Sequence, residues 1–390
     1  LEFRRVLFRS TTSRVHTAVK TAPNYSGPTI HVLDASKSVG VAGNLINSDN
    51  KTPFIEKIKS EYDLIRDNHA KKSNEKEFIT LEDARKNKLS LDWNNYIPSK
   101  PKLKGIALFD KVPLEKIREY IDWTPFFSTW ELKGKYPEIF LNENYGTEAK
   151  KIFDDANILL DKVIKENLLI AKGKIGIFPA NSVNDDIEIY GDIDRELIIG
   201  VLHTIRQQIK KAKGEPNLAL ADFIMPKEIG NTDYIGMFAV TAGLEIEKSL
   251  EKFEKDHDDY NSIMIKALAD RLAEAFAEYL HFKVRTEYWG YAKDENLTND
   301  ELIAEKYNGI RPAPGYPAQP DHTEKLSIFK LLNIEEGIGI KLTESLAMYP
   351  AASVCGIYFA HPKSKYFGVG KISKDQRSEE HTSELQSRIT

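Results

Sequence analysis

The sequence predicts an α+β fold with a mixed or antiparallel sheet and packed helices. Strand-like and helical runs do not alternate strictly along the chain, whereas a doubly wound sheet requires that alternation. Residues 174–190 have the pattern of a hairpin, which pairs neighbouring strands antiparallel. We therefore expect one large α+β domain, preceded by a terminal strand–helix piece of an α/β, Rossmann-like domain.

Composition limits the classes of partner. The chain of 390 residues is 41% hydrophobic, which is enough for a buried core. Its net charge of −4 spreads over 55 basic and 59 acidic residues, so charge gives no reason to expect nucleic acid or an anionic membrane as a partner. No run of about 18 apolar residues occurs, so no bilayer-spanning segment is predicted. Cys355 is the single cysteine, which excludes a disulfide framework and a thiolate zinc site, and the cytoplasm is the expected compartment.

Both ends of the chain are set apart from the predicted fold. Residues 1–10, LEFRRVLFRS, and residues 377–390, RSEEHTSELQSRIT, show no helix or strand period and resemble translated sequencing-adapter DNA. A natural disordered tail is the alternative interpretation. We expect the interior to be a fragment of a longer protein, and we assign no role to either end.

The first predicted elements are a strand and a helix within residues 11–47. A β-rich run at 29–34 leads into small residues and a helix start at 35–46. This order is typical of the ligand-binding edge of an open α/β sheet, where ligands lie beyond the carboxyl ends of the strands. Many such units bind nothing, so the pattern alone assigns no ligand.

A charged linker with one helix is predicted over residues 48–90. The helix is expected over 53–69, and a Lys-rich turn follows it. Asp67, Asn68 and His69 have the composition of a ligand motif. A solvated helix end explains them better, since a His at a helix C-terminus suits the helix dipole.

The main domain is predicted over residues 91–376. Its strands are expected at 105–109, 174–178, 186–190, 234–240 and 353–360, and its helices at 113–121, 150–167, 259–284 and 299–308. In the helix over 259–284, apolar residues recur at helical spacing from Ile265 to Leu280, so one face is expected to be buried.

Three carboxylates on that helix, Asp270, Glu274 and Glu278, are spaced four residues apart. Like charges at this spacing destabilise a helix by a few tenths of a kcal/mol, about 0.2–0.5 per pair, so we expect a cation outside the ladder to offset them. The ladder is either a solvated acidic face or, through Glu274, one wall of a binding cleft.

The stretch from Asp256 to Asp259 resembles a metal site by composition, with one His and three Asp. It directly precedes the predicted helix, however, where Asp residues cap the N-terminus and suit its dipole. The sequence contains no His-Glu-x-x-His, no Gly-rich phosphate loop and no Gly-x-Ser-x-Gly elbow. No metal site and no catalytic nucleophile is therefore predicted.

The most informative segment is Arg311-Pro-Ala-Pro-Gly-Tyr-Pro-Ala318. Its prolines and glycine exclude a regular helix or a central strand. A pre-ordered loop loses little entropy when it binds a ligand, and the planar fork of Arg suits a carboxylate or phosphate. The segment is either a binding loop or a proline-rich surface turn with a solvated Arg.

Several segments, taken in chain order, resemble one family. They lie at 120–127, 130–136, 178–181, 185–190, 221–223, 257–261, 266–280, 288–291, 309–318 and 342–345. Together they resemble the C-terminal activation domain of cobalamin-dependent methionine synthase, over essentially the whole of residues 91–376. Residues 16–46 are similar to the last strand and helix of the cobalamin-binding domain of that enzyme.

This resemblance implies a role in reactivation. In that family, cobalamin carries a methyl group from methyltetrahydrofolate to homocysteine and occasionally oxidises to inactive cob(II)alamin. The activation domain then presents S-adenosylmethionine to the cobalt, and one electron from a flavodoxin-type or diflavin reductase allows the methyl group to be transferred. The implied partners are this reductase and the cobalamin domain of the parent chain.

The resemblance also implies a set of ligand contacts. The S-adenosylmethionine-binding positions are Asp122, Arg311, Ala313, Tyr316, Tyr366 and Phe367, with Glu274 and Glu305 as further candidates on the same cleft. Arg311 suits the ligand carboxylate, Asp122 suits its cationic amino or sulfonium end, and Ala313 would contact it through the backbone. A second Tyr is usual where this chain has Phe367, so the aromatic surface is kept and the hydroxyl is lost. Ala35 would be a backbone contact to cobalamin.

Parts of the parent enzyme are not found in this sequence. The Asp-x-His-x-x-Gly segment that supplies the lower cobalt ligand is absent, as are the homocysteine and folate modules with their zinc-binding cysteines. We therefore expect this chain to bind S-adenosylmethionine, but neither to hold cobalamin stably nor to make methionine alone. Two other interpretations stay open: a stand-alone S-adenosylmethionine-dependent methyltransferase, which would need a Gly-rich strand-to-helix loop, and a non-catalytic reductase-docking module.

Overall fold

The computed structural model describes residues 13–32, 35–74, 77–103 and 105–376. The chain divides after Phe78 into two compact units. The helices of the N-terminal unit are α1 (Arg14–His16), α2 (Ala35–Ile46) and α3 (Ser48–Asn74). The helix predicted over 53–69 is thus part of the longer α3, on which Asp67 and His69 are exposed, in line with the solvated interpretation.

The strand predicted at 29–34 does not form over residues 29–32, and residues 33 and 34 lie outside the described part of the chain. A strand needs a neighbouring strand to bond its N–H and C=O groups. The described part of this unit contains no such neighbour, and the backbone N–H of His31 donates instead to the Tyr62 hydroxyl on α3, at 2.8 Å. The predicted strand is therefore wrong for residues 29–32, whereas the helix after it does form, as α2.

A mostly antiparallel sheet organises the second unit and confirms the predicted fold class. Its strands are β1 (Gly105–Phe109), β2 (Ile170–Val183), β3 (Asp186–Tyr190), β4 (Ile198–His203), β5 (Asp233–Leu244) and β8 (Ser353–Tyr358), while β6 (Lys341–Leu342) and β7 (Met348–Tyr349) form a separate ribbon. The order across the sheet is β4-β3-β2-β5-β8, and β1 also pairs with β2. The predicted hairpin is present as β2 and β3, which pair antiparallel.

Helices and loops cover both faces of this sheet. The helices of the second unit are α4 (Leu81–Lys86), α5 (Leu114–Arg118), α6 (Thr124–Thr129), α7 (Gly146–Glu166), α8 (Ile246–Lys255), α9 (Asp259–Lys283), α10 (Asn299–Ile303), α11 (Glu324–Leu332) and α12 (Ile334–Ile338). On β5, Phe238 and Val240 enter a core shared with α5, α6, α7 and α9. Met237 and Ala239 enter a second core with α11 and α12, so β5 is buried on both faces.

The long helix α9 fixes the position of the candidate site. The Asp258 carboxylate accepts the Asn261 N–H at 3.0 Å and caps the helix, which confirms the capping interpretation. Its apolar face, including Leu272 and Phe276, is fully buried. Because α9 packs across β5 and β8, its polar residues are brought to the edge of the sheet. Among the described residues, no helix combines the length and the apolar character needed to cross a membrane.

Candidate ligand-binding site

The proline-rich loop lies along the outer edge of strand β8. Ile310 and Phe359 exchange backbone hydrogen bonds at 3.1 and 3.0 Å, and the Ile357 N–H donates to the Pro312 carbonyl at 2.9 Å. Proline can accept at a sheet edge although it cannot donate. The loop is therefore an ordered extension of the sheet edge, and it holds Arg311 between two bonded residues.

The remainder of the loop closes into a tight turn. The Tyr316 N–H donates to the Ala313 carbonyl at 3.1 Å, and the Gly315 N–H donates to the Gln319 carbonyl at 2.8 Å. Gly315 has φ +95°, and a Cβ there would collide with the His322 ring, so only glycine fits. This turn leaves the Tyr316 side chain 59% exposed.

Arg311 and Glu278 form an ion pair across the site. Nη2 of Arg311 donates to Oε2 of Glu278 at 2.8 Å, and the Arg311 side chain is only 20% exposed. Burial by itself would lower the pKa of Arg311, but Glu278 and the nearby tyrosines raise it above its ordinary value overall. Arg311 is therefore a permanent cation with a fixed counter-ion on α9.

Two further carboxylates surround this cation. Glu274 lies one turn before Glu278 on α9, and burial raises the pKa of its carboxyl while Arg311 and Arg271 oppose the shift. Burial also raises the pKa of Glu305, again against the effect of Arg311. The structure thus brings three residues from the sequence prediction, Arg311, Glu274 and Glu305, into one electrostatic neighbourhood.

Tyr366 and Phe367 differ in their surroundings. The Tyr366 hydroxyl accepts the backbone N–H of Arg311 at 3.0 Å. Phe367 packs in the second core, where its ring centroid lies 6.3 Å from that of Phe223. Tyr366 is therefore part of the Arg311 site, whereas the observed contact of Phe367 is with the core and its contact with a ligand stays a prediction.

Asp122 has a local role at the start of helix α6. Its Oδ1 accepts the Thr124 N–H at 2.9 Å. The same segment packs against α9 through Tyr120, whose ring centroid lies 5.3 Å from that of Tyr279. Within the described ranges, no hydrogen bond or ion pair joins Asp122 to Arg311, so its contact with a ligand also stays a prediction.

Ala35, the predicted cobalamin contact, belongs to the N-terminal unit. It is the first residue of α2, so it stands at a helix start, as the sequence indicates. Nothing in its surroundings tests the predicted contact.

An aromatic stack lies buried within electrostatic reach of Arg311 and Arg285. The His281 ring lies on that of Tyr358 with centroids 5.1 Å apart, and Tyr358 stacks on Phe238 at 4.7 Å. Complete burial lowers the pKa of His281 well below its ordinary value, and Arg285 and Arg311 add to this effect. His281 is therefore neutral at physiological pH and adds no charge beside Arg311 and Arg285.

Several residues of this site were missed by sequence reasoning. Arg285, which is fully buried, makes a two-pronged hydrogen bond to Glu295 and lies over the Tyr307 ring, with its Cζ 4.2 Å from the centroid. Glu278 was considered only as part of a carboxylate ladder, yet the solvated interpretation holds for Asp270 and is wrong for Glu278, which is 7% exposed. The seven-residue spacing from Glu278 to Arg285, about two helical turns, could have indicated that the two side chains lie on the same helix face.

Comparison with known proteins gives consistent results. A family model described as the activation domain of vitamin B12-dependent methionine synthase matches residues 113–383. The chain is also similar to the crystal structure of the MetH reactivation domain bound to AdoHcy, with 55% sequence identity and a TM-score of 0.77. That similarity covers 79% of this chain and 94% of the other.

Proposed function

The chain belongs to the family of vitamin B12-dependent methionine synthase activation domains, and we propose that it binds S-adenosylmethionine at the Arg311 site. The observation that carries this proposal is the largely buried guanidinium of Arg311. An ordered loop supplies Arg311, and Glu278 on α9 accepts a hydrogen bond from its side chain. Such a group suits a carboxylate, because its planar fork can donate two parallel hydrogen bonds. The α-carboxylate of S-adenosylmethionine is the matching part of the ligand.

The remaining charges of the site match the rest of the ligand. S-adenosylmethionine carries one carboxylate, one ammonium and one sulfonium group. Glu274 and Glu305 lie within electrostatic reach of Arg311, and Asp122 is a further anion on a segment packed against α9. A fixed cation for the carboxylate, with carboxylates near it, is the arrangement expected for a zwitterion that bears an additional positive charge.

The loop backbone and its exposed ring complete the proposed site. Within the described residues, the Ala313 N–H donates to no carbonyl or side chain, so it is available for the ligand carboxylate. Tyr316 offers an exposed aromatic face, which suits stacking with adenine. The Tyr366 hydroxyl accepts the Arg311 backbone N–H, and we infer that Tyr366 and Phe367 also contact the ligand.

The domain acts through proximity and orientation rather than through acid–base chemistry. The sulfonium already activates its methyl group, so the protein has to hold the ligand with that methyl presented outward. Cobalamin, when held by its own domain of the parent chain, supplies the cobalt centre that accepts the methyl group. The bound product is then the neutral thioether S-adenosylhomocysteine, and a flavodoxin-type or diflavin reductase supplies the electron.

The residue ranges of this chain are assigned to different domains of the parent enzyme. We infer that residues 11–47, with Ala35, are the end of the cobalamin domain, that 48–90 are a linker and that 91–376 are the activation domain. Zinc is assigned to the homocysteine module of the parent enzyme. A cytoplasmic location fits the proposed role.

Isothermal titration with S-adenosylhomocysteine tests the proposal, with Arg311→Ala as the variant. We expect the affinity to fall about 30-fold, as for loss of a charged hydrogen bond of about 2 kcal/mol. Arg195→Ala is the matched control, because Arg195, which lies in the β3–β4 connection, donates to the Gly230 carbonyl and takes no part in the site. Unchanged affinity in Arg311→Ala would refute the site, and methyl transfer without cobalamin would favour a stand-alone methyltransferase.

A further inference from the structure

The guanidinium of Arg311 has one hydrogen-bonded anchor among the described residues, Glu278. The bond joins Nη2 to Oε2 at 2.8 Å, and Arg311 Nε is buried without a partner. The backbone N–H of Arg311 is fixed separately by Tyr366. Backbone contacts place the Cα of Arg311, but the direction of its long side chain depends on Glu278.

Glu278 is well placed to set that direction. It lies on the rigid helix α9, between the buried residues Ala277 and Leu280, and its side chain is only 9% exposed. Close packing around a buried side chain on a helix restricts the rotamers that it can adopt. Glu278 therefore holds Arg311 to one orientation rather than being carried along by it.

A chain of alternating charges continues behind Glu278. Its second oxygen, Oε1, lies 3.8 Å from Nη1 of Arg285, which is too long for a hydrogen bond. Arg285 is fixed by Glu295, with both bonds at 2.8 Å, and by the Tyr307 ring. The order Glu295–Arg285–Glu278–Arg311 thus connects a surface loop to the proposed ligand site.

These four alternating charges are not arranged to maximise the stability of the fold. Within the described part of the chain, three buried atoms have no hydrogen-bond partner: Oε1 of Glu278, Nη1 of Arg285 and Nε of Arg311. Buried polar groups are normally satisfied, and apolar side chains often stabilise a core better than a buried ion pair does. A role in orienting Arg311 explains why the carboxylate is there.

We propose that Glu278 is the positioning residue of Arg311: it does not touch the ligand, but directs the guanidinium so that its remaining N–H groups meet the ligand carboxylate. This inference rests on the proposed function of Arg311. Without Glu278, the side chain of Arg311 would have to be immobilised during binding, and the affinity would fall by that cost.

The test uses the full chain and two readouts. The first is isothermal titration with S-adenosylhomocysteine, in which we expect Glu278→Gln to weaken binding about tenfold. The second is the Nε–Hε NMR signal of Arg311 without ligand, assigned by its loss in Arg311→Ala. We expect a dispersed, protected signal in the parent chain, and an averaged, rapidly exchanging one in Glu278→Gln.

Glu295→Gln is the matched control for lost stability, because it also removes a buried ion pair of the same chain of charges. We expect it to lower the melting temperature but to change the affinity by no more than about twofold, as for a site without direct coupling. Equal weakening by Glu278→Gln and Glu295→Gln would reduce Glu278 to a structural role and overturn the inference.

Two other outcomes would also overturn it. An unchanged Arg311 NMR signal in Glu278→Gln would show that other contacts orient the side chain. Tighter binding in that variant would show that Glu278 competes with the ligand for Arg311. Failure of the proposed function can be told apart from failure of this inference. Unchanged affinity in Arg311→Ala would refute the ligand site, whereas the NMR signal would still show whether Glu278 orients the Arg311 side chain.

Discussion

Arg311 on the proline-rich loop and Glu278 on helix α9 are joined by a hydrogen bond of 2.8 Å, although 33 residues separate them. The bond connects the edge of the sheet to the longest helix of the second unit. It explains how the acidic ladder on α9 is tolerated, since Glu278 faces a cation rather than solvent.

The turn at Gly315 should be necessary for ligand binding. Gly315→Ala places a side chain at φ +95° and against the His322 ring, so we expect a loss of about 1–3 kcal/mol in stability and weaker binding of S-adenosylhomocysteine. Gly214→Ala is the control, because Gly214 has φ +89° with open space around its Cβ position. Thermal unfolding and titration of both variants check this, and equal ligand affinity in the two would contradict it.

Asp122 should act through its charge rather than through its hydrogen bond to the Thr124 N–H. In Asp122→Asn the amide oxygen can still accept the Thr124 N–H, so the melting temperature should stay unchanged. Loss of a charge-assisted contact of about 1.5 kcal/mol should weaken S-adenosylmethionine about tenfold. Weakening of S-adenosylmethionine alone would place Asp122 at the sulfonium, and equal weakening of S-adenosylhomocysteine would place it at the ammonium. If neither ligand binds more weakly, Asp122 is not a contact.

The affinity for S-adenosylmethionine should fall as the pH is lowered. Burial raises the pKa of Glu274 and of Glu305, so both carboxyls take up protons at a higher pH than ordinary glutamates do. Protonation removes the negative charge that attracts a cationic ligand. Titrations between about pH 5 and pH 8 should show this fall, and Glu274→Gln should flatten it. An equally steep dependence in the variant would exclude Glu274 as its source.

Glu324 should make folding stability depend on pH. Burial raises the pKa of this carboxyl to about 8, so the folded state keeps a proton that the unfolded chain releases near its ordinary value. Stability from this group is therefore complete below the unfolded pKa and is lost as the pH rises through the folded pKa, by at most about 1.4 kcal/mol per pH unit. Glu324→Gln should reduce the slope measured by urea unfolding, whereas a change at the exposed Glu344 should not. Parallel curves for the parent chain and Glu324→Gln would contradict this.

Local sequence patterns predicted much of the fold. The bounds of β1 and β3 agree with the prediction, and α9 was anticipated to within one residue because its apolar spacing is regular. The strand predicted at 29–34 does not form over the described residues 29–32, because strand formation depends on a partner, which β-propensity does not supply. Strand β4 was missed for the converse reason, since pairing with β3 decides it.

The candidate site was predictable only in part. The stiffness of the proline-rich loop and the suitability of Arg311 for an anion follow from residue chemistry alone. The meeting of Arg311 with Glu278, and of Arg285 with Glu295, depends on tertiary packing and on an irregular loop, neither of which has a local signature. The assignment of Arg311, Tyr366 and Glu274 to one site follows from family resemblance rather than from their spacing in the sequence.

A crystal structure of this chain with bound S-adenosylhomocysteine tests the central claim most directly. We expect the ligand carboxylate to lie within hydrogen-bonding distance of the Arg311 guanidinium and the Ala313 N–H, while Arg311 keeps its bond to Glu278. A ligand bound away from the proline-rich loop, or one whose carboxylate points away from Arg311, would contradict it.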